Sequence, residues 1–596
     1  MVLPTPTSSP VDSCRSLLQG HAKNLADRLY GPNGPPLGTQ FSQMERIALA
    51  VSDELRKRLL DLLMARQAEA MHRNLPEELR RCPSCGRDTI AKDPEPRVLR
   101  CRAVTIEWLE PHRYCRRCRK AFFPQSKQLG LDTSHYSPAF LDLIVYAGAN
   151  KPSFREASLD ILKMGGQTVL EKQVERLTKR MGVERLEERR AAVEHFASLP
   201  LMTRCDGVPE GVSPPADDRV AVVMADAGML QLRDAPTKPD APKDAKDPVA
   251  ALIAEEETDE DDDDEDKPPA GRHWREDKVG LALTMQSPVS VIDPYPEIPE
   301  TFIDPRRVGK IVRGLKKSPA LHAEESGEVE ENASAEQTAA SSCENPGAAE
   351  SSSGDPATPG PQKEKKTVDY EGPKLATRRV TASRQSWPVF GVILACMAWT
   401  AGFAKAKRKA FVADGARAIW RVWRNRFSSY TAILDFIHAL SYVYAAAKAV
   451  GGDNVTEGWR LYVEWIRWVW QGQAATVIER LQNWQQVHSE PAKGESAATD
   501  RSVVAKSLRY LRNNQDKMNY AEYRKQGLPI VSSLVESMVK QISRRVKGTE
   551  KFWGEEGAEA VLQLRADYLS DGEVMEGFWR RRQTAATGQR PYRSNS

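Results

Sequence analysis

Three acidic residues are placed where a fold could gather them around a cation. Asp226 closes the apolar run AVVMA and is followed by Ala227 and Gly228, and Asp414 closes KAFVAD and is followed by Gly415. Both read as acids at the ends of short β-strands, although Asp before Gly is also ordinary turn chemistry. Glu536 lies in LPIVSSLVESMVKQISRRVKGTEKFW, a loop running into a helix. There Ser533-x-x-Glu536 fits a capping box, in which the Glu reaches back to the cap N–H. At about 100° per residue, Val535, Met538, Val539, Ile542 and Val546 share one helix face, and Glu536, Lys540, Arg544 and Lys547 occupy a neighbouring arc of roughly 80°. An acid at the head of a basic stripe suits a metal-dependent enzyme acting on a phosphate backbone: acid for cations, bases, Arg545 included, for the strand. Two hard cations about 3.5 to 4 Å apart need oxygen ligands, one of them bridging, which calls for three acids. Without metal, acids this close repel one another, so raised pKa values are expected.

A second constellation is made of thiols. CPSCG supplies Cys82 and Cys85, and CRRC supplies Cys115 and Cys118 after 29 intervening residues. Two such knuckles place four thiolates in tetrahedral reach of one Zn²⁺, which folds a ribbon too small for a core of its own. Four thiolates leave no open position, so the site is structural, and strand-like VLRCRAVTIEWLE between the knuckles argues against a redox pair. Cys101, midway, reads as a packing residue. Arg100, Arg102, Arg113, Arg116, Arg117, Arg119 and Lys120, with Tyr114, Phe122 and Phe123, form a candidate nucleic-acid surface. Nine cysteines in 596 residues do not make a disulfide scaffold and point to a reducing compartment.

The elements that must position these groups can be read along the chain. FSQMERIALAVSDELRKRLLDLLMARQAEAMHR has apolar residues at three- and four-residue intervals, an amphipathic helical region over 41–75. The ribbon occupies 76–126. In 127–200, FREASLDILKM and VLEKQVERLTKRM flank a GGQT turn, the pattern of a helix-turn-helix or of an ordinary helical hairpin. Strand-like runs follow: RVAVVMADAGMLQLR in 201–235, KVGLALTM in 272–317 and KAFVADGARAIWRVW in 381–430. A Trp- and Tyr-rich helical insertion spans 431–526 and precedes the Glu536 helix in 527–570. The fold class is therefore α/β, a mixed core with a helical insertion.

Other stretches cannot pack. Residues 1–40 read as disordered, as do 236–271, whose run EEETDEDDDDED carries eleven carboxylates, and 318–380, rich in Ala, Ser, Glu, Pro and Gly. The net charge of +4 hides this asymmetry: Arg501–Ser596 holds 18 Lys and Arg against 11 Asp and Glu, and 571–596 reads as a basic tail. MVLPTPTSSPVDSCRS has no apolar core, so no secretory signal is expected. WPVFGVILACMAWTAGFA, with Pro388, Gly391 and Gly402, reads as a helix buried against a sheet rather than a membrane span.

Taken together, VADGARAIW with ILDFIHALSYVYAAA, MNYAEYRKQGLPI, and VESMVKQISRRVKGTEKFW with GAEAVLQLRADYLSD resemble the ISKra-type insertion-sequence transposases of the DDE class. The zinc knuckles, the WREDKVG stretch from Trp274 and GMLQLR after Asp226 fit the same family, over about Phe41 to Tyr568 and in the family's order. Ala227 stands where the family usually has Gly, and Ser533 and Leu534 replace part of a Gly-Ser-Gly-like approach to the Glu. The resemblance implies an RNase H-like core with Asp226, Asp414 and Glu536 as the triad, holding two Mg²⁺ or Mn²⁺ ions. It also implies Asp435 and His438 as a D-x-x-H motif in the helical insertion, with His438 near the scissile phosphate. The implied activity is nicking at the element's ends and strand transfer into target DNA by a homo-oligomer in the cytoplasm, associated with the nucleoid. Two alternatives share parts of this pattern. A catalytically inactive, domesticated DNA-binding protein would use only the ribbon and helix-turn-helix, and an RNase H-like nuclease would need the acids but no end-recognition modules.

Overall fold

The computed structural model describes residues 36–233, 248–254, 273–316, 370–548 and 550–591, with isolated positions between 12 and 27. The segments expected to be disordered, 1–40, 236–271 and 318–380, lie largely outside the described residues. The central sheet has the order β6-β5-β4-β7-β8. It comprises β4 (Arg219–Leu232), β5 (Trp274–Gln286), β6 (Lys374–Ser383), β7 (Lys409–Ala413) and β8 (Thr431–Leu434). β4, β5 and β6 run antiparallel, whereas β4, β7 and β8 run parallel. β4 is covered on both faces, with Val220 to Met224 essentially inaccessible, which explains its continuous apolar run in place of an alternating one.

Two expectations change here. β4 does not end at Asp226 but continues to Leu232, paired with β5 throughout and with a short β9 (Phe552–Trp553) at its far end. The polar residues of ADAGMLQL mask a strand that β5 holds by backbone pairing. The sheet also begins earlier than 381. KLATRRVTAS forms the edge strand β6, whose first half is exposed and whose last four residues are buried, so its polar half reads as unstructured.

The apolar run at Trp387 forms α5 (Trp387–Thr400), with Pro388 in its first turn. It packs on β5 and β6, and the contact is close: a Cβ on Gly280 would stand 2.7 Å from Leu394 and 3.0 Å from Phe390. Among the described residues no helix is long and apolar enough to cross a membrane.

In the N-terminal region, α1 (Phe41–Arg73) lies against β2 of a second sheet. That sheet contains β1 (Ile90–Arg100), β2 (Thr105–Cys115) and β3 (Lys120–Phe122), and its fourth strand is β10 (Gln589–Pro591) from the far end of the chain. The three longest helices that follow in this region are α2 (Pro138–Asn150), α3 (Phe154–Gly165) and α4 (Glu171–Ser198). α3 and α4 are the two helices read around GGQT, with Ser153 capping α3 and Gly166 ending it at φ +65°. α4 runs on to Ser198 and crosses a later helix, α12 (Glu555–Leu569), so closely that a Cβ on Gly182 would meet the Ala560 carbonyl at 2.4 Å.

The described part of the expected basic tail, residues 571–591, is not free. They form α13 (Val574–Thr584) and then β10. Met575, Phe578 and Trp579, at helical spacing, are buried with Phe140, Leu177 and Met181, and Arg582 pairs with Asp132 and Glu184. The charges here tie α13 to Asp132 and to α4.

The helical insertion after β8 comprises α7 (Phe436–Gly451), α8 (Val455–Trp470), α9 (Ala474–His488) and α10 (Asp500–Asn513), and α6 (Arg417–Arg426) lies between β7 and β8. α11 (Ser533–Val546) carries Glu536. Val535, Met538, Ile542 and Val546 face the sheet, as their spacing requires.

Candidate catalytic pocket and zinc centre

The parallel pairing of β4 and β7 brings the first two acids side by side. Met224 lies opposite Val412, and the same register carries Asp226 to the level of Asp414, which immediately follows β7. Ala225 sits opposite Gly280, the residue that meets α5, so by alternation Asp226 points to the other face of the sheet. α11 packs on β4 on that face and delivers Glu536 from its first turn. Asp226, Asp414, Glu536, His438, Ser532, Ala225 and Val535 line one pocket.

The capping box does not form. The N-cap is Ser532 rather than Ser533, and no side chain caps the helix. The Ser532 hydroxyl is committed elsewhere, to Asp435. Glu536 is thereby left free to face the pocket at the positive end of its helix.

Asp435 is wholly buried and does not line the pocket. Its oxygens accept from the Ile437 amide at 2.6 Å, the Ser532 amide at 3.0 Å and the Ser532 hydroxyl, and one lies 3.4 Å from His438 Nδ1. Among the described residues, Asp435, His438 and Glu536 are the one group of carboxylate and imidazole ligand atoms already within 4.8 Å of one another. Asp435 accepts three hydrogen bonds and serves as a support, whereas Asp226 and Asp414 each accept one amide, from Ala227 at 2.7 Å and Ala416 at 3.0 Å, and Glu536 stands 4.0 Å from Lys540, so the looser set keeps more oxygens for a cation.

The electrostatics follow from this crowding. Burial, then the charge of Asp414 and that of Glu536, push the Asp226 carboxyl up to about 8, against the opposing Ala227 N–H and His438. Glu536 is raised by burial and next by Asp435, with His438 and Lys540 opposing. Burial alone would raise Asp435 and depress His438. Their close approach and opposite charge outweigh it, lowering Asp435 and lifting the imidazole to about 9. A cation is therefore built into the acid cluster, and the remaining repulsion among the carboxylates is relieved by a proton or by a bound cation.

Two supports have no local sequence signal. The Tyr510 hydroxyl donates to the Asp414 carbonyl, and its ring stacks on Tyr442 at 3.7 Å. Gly415, at φ +103°, is needed because a Cβ would stand 2.7 Å from the Tyr510 ring. Ser532 is the other support. Two serines precede Glu536, and the spacing rule for caps selects the wrong one.

The basic stripe divides. Lys540, Arg544 and Lys547 are exposed along α11, with Lys547 Nζ 5.5 Å from the Trp274 ring. Arg545 is buried, contrary to its expected DNA contact. Its guanidinium lies over Phe154 at 4.4 Å and Trp553 at 5.1 Å, and its Nε donates to the Gly148 carbonyl at 2.9 Å. It falls on the apolar side of α11, next to Val546, and locks that helix to α2 and α3. Arg545→Ala is expected to lower stability by about 3 kcal/mol in denaturant melts. Lys540→Ala and Arg544→Ala are expected to leave the melt unchanged.

At the ribbon, Cys82 Sγ lies 3.9 Å from Cys118 Sγ, and Cys85 Sγ lies 3.6 Å from Cys115 Sγ. Four sulfurs bound to one Zn²⁺ at about 2.3 Å stand roughly 3.8 Å apart, so the set fits a structural zinc. The Cys118 N–H donates to Cys115 Sγ at 3.5 Å and lowers that thiol to about 7, favouring the thiolate a metal takes. From β10, Gln589 Nε2 donates to Cys82 Sγ at 3.4 Å, and Gln589 Oε1 accepts from Ser84. Cys101 is part-buried beside the cluster of Ala68, Leu99 and Trp108. Arg116 and Arg117 are exposed on the second knuckle, but Phe122 and Phe123 are core residues, and Arg113 is bonded to Thr89. Of the residues expected to form a nucleic-acid surface here, Phe122, Phe123 and Arg113 are thus committed inside the fold.

A comparison of the chain with protein-family models and with curated proteins finds no match.

Proposed function

We propose that the protein is a DNA transposase that binds the ends of an insertion sequence, cleaves them by metal-dependent hydrolysis and joins the 3′-OH ends to target DNA. The observation that carries this reading is the convergence of Asp226, Asp414 and Glu536 on one pocket of a mixed sheet. A helical insertion separates the last two acids in the chain, as the resemblance to RNase H-like DDE enzymes leads one to expect.

The donor set is hard oxygen, suited to Mg²⁺ or Mn²⁺, and the raised carboxyls of Asp226 and Glu536 mark a site that gains from positive charge. Asp226, Asp414 and Glu536 would hold two such ions, whose chemistry would be to activate a water or 3′-hydroxyl and to stabilise the leaving oxygen. The chain's own residues do the remainder. His438 presents a buried positive charge where the scissile phosphate enters, and Lys540, Arg544 and Lys547 hold flanking phosphates along α11. The ribbon, with Arg116 and Arg117, and the α3–α4 pair recognise the terminal inverted repeats. A homo-oligomer brings two ends together in the cytoplasm, at the nucleoid.

The test is a joining assay with labelled DNA carrying the flanking inverted repeats, Mg²⁺ and a target plasmid. Label transferred to the plasmid is the expected result. Cleavage without joining would favour the nuclease, and binding without cleavage the domesticated DNA-binding protein.

A further inference from the structure

The helix that carries Glu536 starts from a residue whose polar groups are shared between two elements. The Ser532 carbonyl accepts from the Val535 amide at 2.9 Å and the Glu536 amide at 3.4 Å, which starts α11. The Ser532 amide and hydroxyl both donate to Asp435 Oδ2.

Asp435 is in turn the junction of everything else around the pocket. Its amide donates to the Ala413 carbonyl at 2.8 Å, one residue before Asp414. Its side chain caps α7 through Ile437 and faces His438, and the next amide, of Phe436, donates to the Ile530 carbonyl at 2.9 Å. One buried residue thus touches the backbone leading into Asp414 through its amide and, through its carboxylate, the start of the His438 helix and Ser532 at the start of the Glu536 helix. Groups that hold metal ligands in place from behind commonly change affinity by about 10- to 100-fold when removed.

We propose that Ser532 is a positioning residue. By clasping Asp435 it sets the start of α11 against the end of β7, so that Glu536 faces the same pocket as Asp226 and Asp414. This rests on the metal-dependent reading of the pocket. The hydroxyl is committed to Asp435, so it acts on the metal site through that carboxylate.

The test is Mn²⁺ binding by the full-length, zinc-loaded protein, followed by titration calorimetry beside thermal melting. Ser532→Ala keeps the backbone amide on Asp435 and is expected to weaken Mn²⁺ binding roughly tenfold while the melting temperature moves only a few degrees. Ser532→Thr restores the hydroxyl and is expected to bind within about twofold of the wild type. Should the Ala variant fail to fold, Ser532→Cys fills the same space with a weak donor and is expected to lose affinity to a similar degree. Wild-type affinity in a folded Ala or Cys variant overturns the clasp. Glu536→Gln serves as the separate control: Mn²⁺ binding unchanged in that variant overturns the three-acid metal site itself, and the clasp's purpose with it.

Discussion

Asp226→Asn is expected to raise the melting temperature of the metal-free protein at pH 9 while removing its ability to cut DNA. The carboxyl is held near 8 in the folded protein, far above its ordinary 3.8, because burial and the charges of Asp414 and Glu536 oppose its ionisation. A group whose folded pKa is raised contributes stability that is fully present below its unfolded pKa and is lost as pH rises through the folded one. The metal-free wild type should therefore weaken between about pH 4 and pH 8. Complete linkage for such a shift is on the order of 5 kcal/mol. Exposure to the pocket screens part of it, leaving about 2 kcal/mol, or a few degrees, as the expected gain of the Asn variant. Mg²⁺ should act in the opposite sense, stabilising the wild type above pH 8 and leaving the variant unmoved. A wild-type melt that is flat from pH 5 to pH 9 would remove the electrostatic basis of the pocket.

Zinc removal is expected to have a larger but more local effect. The ribbon's own apolar cluster is small, and structural zinc contributes about 10–16 kcal/mol to the folding of isolated modules of this kind. Chelation, or Cys115→Ser, should free the amides of β1, β2 and β3 to exchange with deuterium. It should also release β10, whose Gln589 bonds to Cys82 and whose Arg590 lies over Phe123 at 3.8 Å. The amides of β4 and β5 should stay protected, because the central sheet has its own core. Retained protection in β2 after complete chelation would mean that the knuckles are not what folds the ribbon.

Legibility in the sequence followed the range of the interactions. The cysteine spacing, the two helices about GGQT and the apolar face of the Glu536 helix are local patterns, and each falls where its spacing places it. β6 and the full length of β4 were hidden because their polar residues are held by pairing with β5, a long-range partner. The C-terminal region read as basic because charge is counted more readily than the Met575, Phe578 and Trp579 spacing that buries α13. Arg545 shows the same limit: its place in the stripe suggested a phosphate, but Phe154 and Trp553 arrive from distant segments to enclose it. The three acids could be named from their settings. Ser532, Tyr510 and the inward turn of Asp435 could not, because each depends on a contact between elements far apart in the chain.

The most direct measurement is Mg²⁺-dependent strand cleavage of DNA carrying the flanking inverted repeats, comparing the wild type with Asp414→Asn and Glu536→Gln. Both substitutions keep the size of the side chain and remove only its charge. The expected result is cleavage by the wild type and a loss of at least about 10³-fold in each variant, with DNA binding retained, since the Lys540, Arg544 and Lys547 face is untouched. Cleavage by either variant at the wild-type rate would contradict the assignment of Asp226, Asp414 and Glu536 as the metal-holding acids.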